Sequence, residues 1–98
     1  MEKIKVKILQ PIAKMAEIKE SIVEIEINHE INAKDLIDLL SNEYGRKLRD
    51  IILEPNTNVL QKGILFLLNG RLLGYMQGLH TIIKGGDIVA LAVAFSGG

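Results

Sequence analysis

The stretch Ile88-Val89-Ala90-Leu91-Ala92-Val93-Ala94-Phe95-Ser96-Gly97-Gly98 closes the sequence and governs how the rest is read. From Ile88 to Phe95 it is apolar without a break, the pattern of a strand covered on both faces. Successive side chains of a strand point to opposite sides, so Val89, Leu91 and Val93 share one face, and Ile88, Ala90, Ala92 and Ala94 the other. The first face is bulky and suits a core. The second is small and apolar, which suits close approach by another protein. Behind the strand come two residues without a Cβ, the narrowest backbone a peptide can offer. A Gly97-Gly98 end can thread into a narrow pocket and deliver an α-carboxylate that is ionised at neutral pH and inert until activated. Alone, the dipeptide reads slightly better as a frayed end or cloning remnant. The residues upstream shift that balance.

Immediately before this strand, Lys84-Gly85-Gly86-Asp87 is a turn. No helix follows that could align N–H groups on a phosphate, so the glycine pair is not a phosphate loop. Earlier, Ile64 to Leu68 is apolar throughout and ends in Asn69-Gly70, a strong hairpin signal, with Arg71 to Leu73 as the returning arm. With Phe66 and Leu68 facing inward, Leu65 and Leu67 face outward. An outward apolar pair on a central strand marks a partner surface, so Leu65, Leu67, Ile88, Ala90 and Ala92 are the candidate docking residues. Gly74 to His80, carrying Tyr75 and Met76, has no period and is read as irregular.

The front half supplies the remaining elements. Lys3 to Ile8 alternates strictly, with Ile4, Val6 and Ile8 on one face and Lys3, Lys5 and Lys7 on the other. Pro11 ends that strand, Ile12 to Glu20 shows no clean period, and alternation resumes over Val23 to Ile27. Two adjacent antiparallel strands follow, with the lysines facing Glu24 and Glu26 in cross-strand ion pairs. Asn32 is a good N-cap, and Asp35 suits the first turn of a helix. Ala33, Leu36, Ile37, Leu39, Leu40 and Tyr44 fall on one face of that helix, and Gly45 closes it. Asp35, Asp38 and Glu43 sit at spacings that fit a solvated helix face and are assigned no chemistry. Leu48, Ile51 and Ile52 predict a second short helix or turn before the turn-rich loop Glu54 to Asn58.

Composition narrows the function. The 98 residues suffice for one domain, predicted as residues 1–94 with 95–98 as a flexible tail. Twelve basic residues balance twelve acidic ones, which disfavours nucleic acid or an anionic membrane as the main partner. The chain has no cysteine, hence no thiol nucleophile, disulfide, or cysteine ligand set for zinc or iron–sulfur. His29 and His80 are solitary and read as surface residues rather than metal ligands. The beginning of the sequence lacks the pattern of a signal peptide, and no window is apolar for long enough to span a bilayer. A cytoplasmic location is therefore expected.

Strand, strand, helix, short helix, strand, hairpin arm and last strand together predict an α+β fold. A first hairpin, a crossing helix and a mixed sheet resemble the β-grasp architecture of ubiquitin. From Glu43 onward the chain resembles the MoaD/ThiS group of ubiquitin-like sulfur carriers. The likeness is carried by Tyr44-Gly45, Glu54-Pro55-Asn56-Thr57 with Leu60 and Gly63, and Leu68-Asn69-Gly70-Arg71. It continues through Gly78-Leu79, Thr81, Gly86-Asp87-Ile88-Val89 and Ser96-Gly97-Gly98. Within that group the chain is most similar to archaeal forms of MoaD, the small subunit of molybdopterin synthase. It departs from the family pattern at Ala92-Val93-Ala94, where Pro-Pro behind a bulky aromatic is common, and at Leu9-Gln10.

The resemblance implies a carrier rather than an enzyme. An activating enzyme of the ubiquitin-activating type, MoeB/ThiF-like, would use ATP to adenylate the carboxylate of Gly98. A sulfur donor would then convert it to a thiocarboxylate, and a MoaE-like large subunit of molybdopterin synthase would use the sulfur to build molybdopterin. Gly98 and Gly97 would be the reacting end and Ser96 and Phe95 its tail, with no permanently bound cofactor and no metal. Two further readings stay open. One is a ubiquitin-like modifier, or a sulfur donor for tRNA thiolation or thiazole synthesis. The other is a β-grasp binding module whose tail carries no chemistry.

Overall fold

Alternating lysine and β-branched residues make Glu2–Ile8 the first strand, β1, with Ile4, Val6 and Ile8 completely buried and the lysines exposed. The computed structural model describes residues 2–94. Strand β2 (Ile22–Ile27) returns antiparallel to β1, placing Lys5 opposite Glu24 and Lys3 opposite Glu26. Only a diagonal pair comes within ion-pair reach, Lys3 Nζ to Glu24 Oε1 at 3.9 Å between half-exposed side chains. The expected row of facing ion pairs is thus reduced to one long contact, because flexible, solvated lysines gain little by holding one geometry.

Between these strands the aperiodic stretch folds into a short helix, α1 (Ile12–Met15), that buries Ile12 and Ala13, and Ala16 and Ile18 just after it are also buried. Its four residues are too few to show a helical period. After β2, a two-residue strand β3 (Ile31–Asn32) leads into the main helix α2 (Ala33–Tyr44). Asn32 caps it as expected: Asp35 N–H donates to Asn32 Oδ1 at 2.7 Å, and Asn32 N–H donates to Asp35 Oδ2 at 3.2 Å. Helix α2 buries Ala33, Leu36, Ile37 and Leu40, whereas Leu39, expected inside, is 37% exposed. The apolar stripe is narrower than the sequence pattern because only that sector of the helix faces the sheet. Gly45 ends α2 at φ 96°, and α3 (Arg46–Ile52) follows, burying Leu48 and Ile52.

The second half begins with β4 (Ile64–Leu68) and turns at Asn69-Gly70 into β5 (Arg71–Leu72). Both turn residues have positive φ, 50° and 85°, the signature of a turn whose twist matches the strands it joins. The segment expected to be irregular contains two 3-10 turns, Leu73–Tyr75 and Gly78–His80, followed by β6 (Ile82–Ile83). Strand β6 pairs with β3 in a separate two-stranded sheet. Buried Thr81 ties this segment down: its Oγ1 accepts from Gln77 N–H at 3.1 Å, and its carbonyl accepts from Ala33 N–H at 3.0 Å.

The last strand, β7 (Ile88–Val93), lies between β1, to which it is parallel, and β4, to which it is antiparallel. The main sheet runs β2-β1-β7-β4-β5, mixed and five-stranded. Helix α2 covers the face formed by Ile4, Val6, Phe66, Leu68, Val89 and Leu91, all buried. That is an α+β sheet with one main helix packed across it, as the order of elements predicts.

Candidate functional site

The uncovered side of the sheet is built by parity. Phe66 and Leu68 point into the core at 1% and 4% exposure, so Leu65 and Leu67 point outward and are half-buried. On β7, burial of Val89 and Leu91 turns Ile88, Ala90 and Ala92 to the same outer face. Register then brings these residues together. Leu65 lies directly opposite Ala92 and Leu67 opposite Ala90, so the leucines of one strand rest beside the alanines of the other. Leu72 joins the strip through its pairing with Leu67 on β5. Ile88, 40% exposed, stands at the turn end of β7 and pairs with Lys5 of β1, while Ala90 pairs with Lys7. The face is therefore apolar over β7, β4 and β5 and charged over β1 and β2.

Sequence parity identified Leu65, Leu67, Ile88, Ala90 and Ala92. It missed Leu72, although the Asn69-Gly70 turn fixes Leu72 opposite Leu67. It also assigned no place to Tyr75, which is 80% exposed at the edge of the strip. Tyr75 and Leu72, with Leu60, Ile64, Leu65 and Gly74, line a depression of about 370 Å³ that continues the apolar face around β5. The signal for Tyr75 is a large aromatic without a partner, which sequence periodicity cannot reveal inside an aperiodic segment.

Strand β7 is fastened at both ends. At its start, Asn69 N–H donates to Ile88 C=O at 2.8 Å, and Ile88 N–H donates to Asn69 Oδ1 at 2.9 Å. Asn69 Nδ2 also reaches Asp87 Oδ1 at 3.1 Å, and Asp87 Oδ2 accepts from Lys84 N–H at 2.8 Å. The glycine pair is a turn here, as expected. Gly86 N–H donates to Lys3 C=O at 2.9 Å, and a Cβ on Gly85 would collide with the Glu2 side chain. At its far end, Ala94 N–H donates to Gly63 C=O at 2.7 Å. The regular strand stops at Val93, and Ala94, which the sequence pattern included, lies outside it. The tail residues Phe95, Ser96, Gly97 and Gly98 lie outside the described residues.

Among the described residues the acidic and histidine side chains do not gather into a metal-binding cluster. Asp35 is used in capping α2, and Asp38 is bound by Lys34 Nζ at 2.8 Å. His29 and His80 are exposed and far apart in sequence, and among the described residues no three histidine, cysteine or acidic side chains group to hold a metal. Among the same residues no helix is long and apolar enough to cross a membrane.

A mixed sheet crossed by one main helix, with a first hairpin and a parallel last strand, defines a ubiquitin-like β-grasp protein, and solved structures of that class superpose on the chain. The small archaeal modifier protein 1 of Methanosarcina acetivorans aligns with TM-score 0.78 and 23% identity, covering 100% of this chain and 98% of its own. A chain of the BexX/CysO complex of Amycolatopsis orientalis aligns with TM-score 0.78 and 19% identity, over 97% and 99% of the two chains. The putative molybdopterin converting factor subunit 1 of Pyrococcus furiosus gives TM-score 0.70 and 21% identity, over 97% and 100%. No curated protein matches the chain in sequence. Residues 6–98 match the ThiS family, and the chain belongs to that family of small ubiquitin-like sulfur carriers.

Proposed function

We propose that this protein carries sulfur on the C-terminal carboxylate of Gly98, for molybdopterin synthesis in the first instance. The observation that supports it is the half-buried apolar strip formed by Leu65 and Leu67 of β4 and by Ala90 and Ala92 of β7, the strand that precedes the glycine end in sequence. A carrier must be gripped by successive enzymes while its end enters each active site, and an apolar face on the strand that leads to that end in sequence meets the need.

In the proposed cycle the Gly98 carboxylate attacks the α-phosphate of ATP in a MoeB/ThiF-like enzyme, releasing pyrophosphate and forming an acyl adenylate. Sulfide sulfur from a donor then attacks the acyl carbon and expels AMP, leaving a thiocarboxylate. Gly97 and Gly98 let the end pass a narrow channel because neither carries a side chain. Leu65, Leu67, Ile88, Ala90 and Ala92 dock first on the activating enzyme and then on a MoaE-like synthase subunit, which takes the sulfur. The chain supplies the acyl end and the grip; the chemistry is done by its partners.

A second reading is a protein modifier. It is favoured by the likeness to an archaeal protein named as a modifier. Both readings begin with the same adenylate and differ in what attacks it, sulfur or a lysine amine. The test is the intact mass of the chain after incubation with ATP, a ubiquitin-activating-type enzyme from the same source and a sulfide donor. Replacement of one oxygen by sulfur, absent when Gly98 is deleted, is the expected result. With a competent activating enzyme, an unchanged mass overturns the sulfur-carrier reading, and an isopeptide-linked adduct through Gly98 establishes the modifier.

A further inference from the structure

The sheet has a second unpartnered feature at the opposite edge from the apolar strip. Strand β2 is the outermost strand. Its hydrogen-bond phase is fixed by Ile8 N–H, which donates to Ser21 C=O at 2.9 Å, whereas Lys5 and Leu9 donate to the other neighbour at Asp87 and Leu91. Even-numbered residues of β1 thus bond toward β2, and the register pairs them with Val23, Ile25 and Ile27 or their neighbours of the same parity. The N–H and C=O groups of Ile22, Glu24 and Glu26 therefore point away from the sheet, with no hydrogen-bond partner among the described residues. A row of unpaired backbone groups of this kind accepts an added strand.

What lies beside that edge determines which strand it accepts. Between β2 and α2 run two adjoining depressions of about 440 and 360 Å³, sharing Glu26 and Leu39. Leu39, 37% exposed, supplies an apolar floor with Ile25 and Ile31, which at 8% are the least completely buried members of the core. The rim is acidic: Glu24, Glu26 and Glu43, with Asp35 and Asp38 beyond. Lys3 approaches Glu24 at 3.9 Å and Lys34 binds Asp38 at 2.8 Å, while Glu26 and Glu43 have no ion pair among the described residues. His29 also lines the groove.

We propose that the β2 edge and the β2–α2 groove dock an extended segment of a protein partner in which basic and apolar residues alternate. The segment adds to the sheet through the free groups of Ile22, Glu24 and Glu26. Strand parity then places every second side chain over the groove floor, where Leu39 and Ile25 call for an apolar residue. The intervening side chains lie on the face of Glu24 and Glu26, where charge complementarity calls for lysine or arginine. Strand β1 lies between this edge and the apolar strip, which begins at β7, so the two surfaces do not share a strand.

The probe is a synthetic nonapeptide alternating valine with lysine. Two controls accompany it: one with glutamate in place of lysine, and one of the same charge interrupted by proline. Amide NMR with the full chain should show shifts and slowed exchange at Ile22, Glu24 and Glu26 on adding the valine–lysine peptide, and weak or no effect from either control. Glu24→Pro removes one outward N–H at an edge position where proline is tolerated, and should abolish pairing while the fold persists. Leu39→Lys, on an exposed helix position, should independently weaken binding by about tenfold through repulsion and loss of the floor. Equal binding of the proline-interrupted peptide, shifts confined to β4 and β7, or undiminished binding by Leu39→Lys would each overturn the proposal.

Discussion

A single residue step separates what faces water from what holds the fold on β4. Leu67 is half-buried on the outer strip and Phe66 is 1% exposed in the core, one position apart. Leu67→Glu is therefore expected to reduce binding to the activating enzyme while changing unfolding free energy by less than about 1 kcal/mol, as measured by urea denaturation. Phe66→Ala should cost roughly 3–5 kcal/mol through lost burial and the cavity left behind. Reversed magnitudes would mean that the two faces are exchanged. Tyr44 offers a second residue-level test. Partial burial, reinforced by the nearby carboxylates of Glu20 and Glu43, raises its phenol above the ordinary value of 10.0. The folded state thus holds the proton more tightly than the unfolded chain. The resulting stability is fully present below about pH 10 and is lost as pH rises through the folded-state value. Tyr44→Phe should remove that part of the alkaline decline in a pH series of unfolding curves, and a decline identical to wild type would contradict the assignment.

At the scale of elements, helix α2 depends on its first turn. The reciprocal bonds between Asn32 and Asp35 satisfy two N–H groups that the helix itself leaves without acceptors. Asn32 also belongs to β3, which pairs with β6, so the cap joins the helix to the small sheet. Asn32→Ala is expected to cost about 1 kcal/mol, read as a lower urea midpoint with unchanged slope. A loss well beyond that would show that the β3–β6 pairing fails with the cap. This helix was legible in the sequence because a cap, a period and a closing glycine agree along one short stretch. Helix α1 and strands β3 and β6 were not. They have four, two and two residues, too short to express a period, and they form because neighbours distant in sequence bury Ile12 and Ile83.

At the scale of the whole molecule, the core of the described residues reaches Val93 on the last strand, and Gly97 and Gly98 follow that strand in sequence. Deleting Gly97 and Gly98 should therefore leave the thermal midpoint unchanged within about 1 °C, since surface changes away from packing seldom exceed about 0.5 kcal/mol. The same deletion should abolish the ATP-dependent mass change. A large drop in midpoint would instead give the tail a structural role. The sequence by itself determined the fold class, the β1–β2 hairpin, the capped main helix, the Asn69-Gly70 turn and the inward and outward faces of β4 and β7. All of these are written in local alternation, helical period or turn chemistry, which act over a few residues. Only the tertiary structure decided that Leu65 meets Ala92 and Leu67 meets Ala90, that Tyr75 extends the strip, and that Leu39 stays exposed beside an open β2 edge. These depend on register and strand order between segments far apart in the chain, and a one-dimensional pattern does not encode which strand lies beside which.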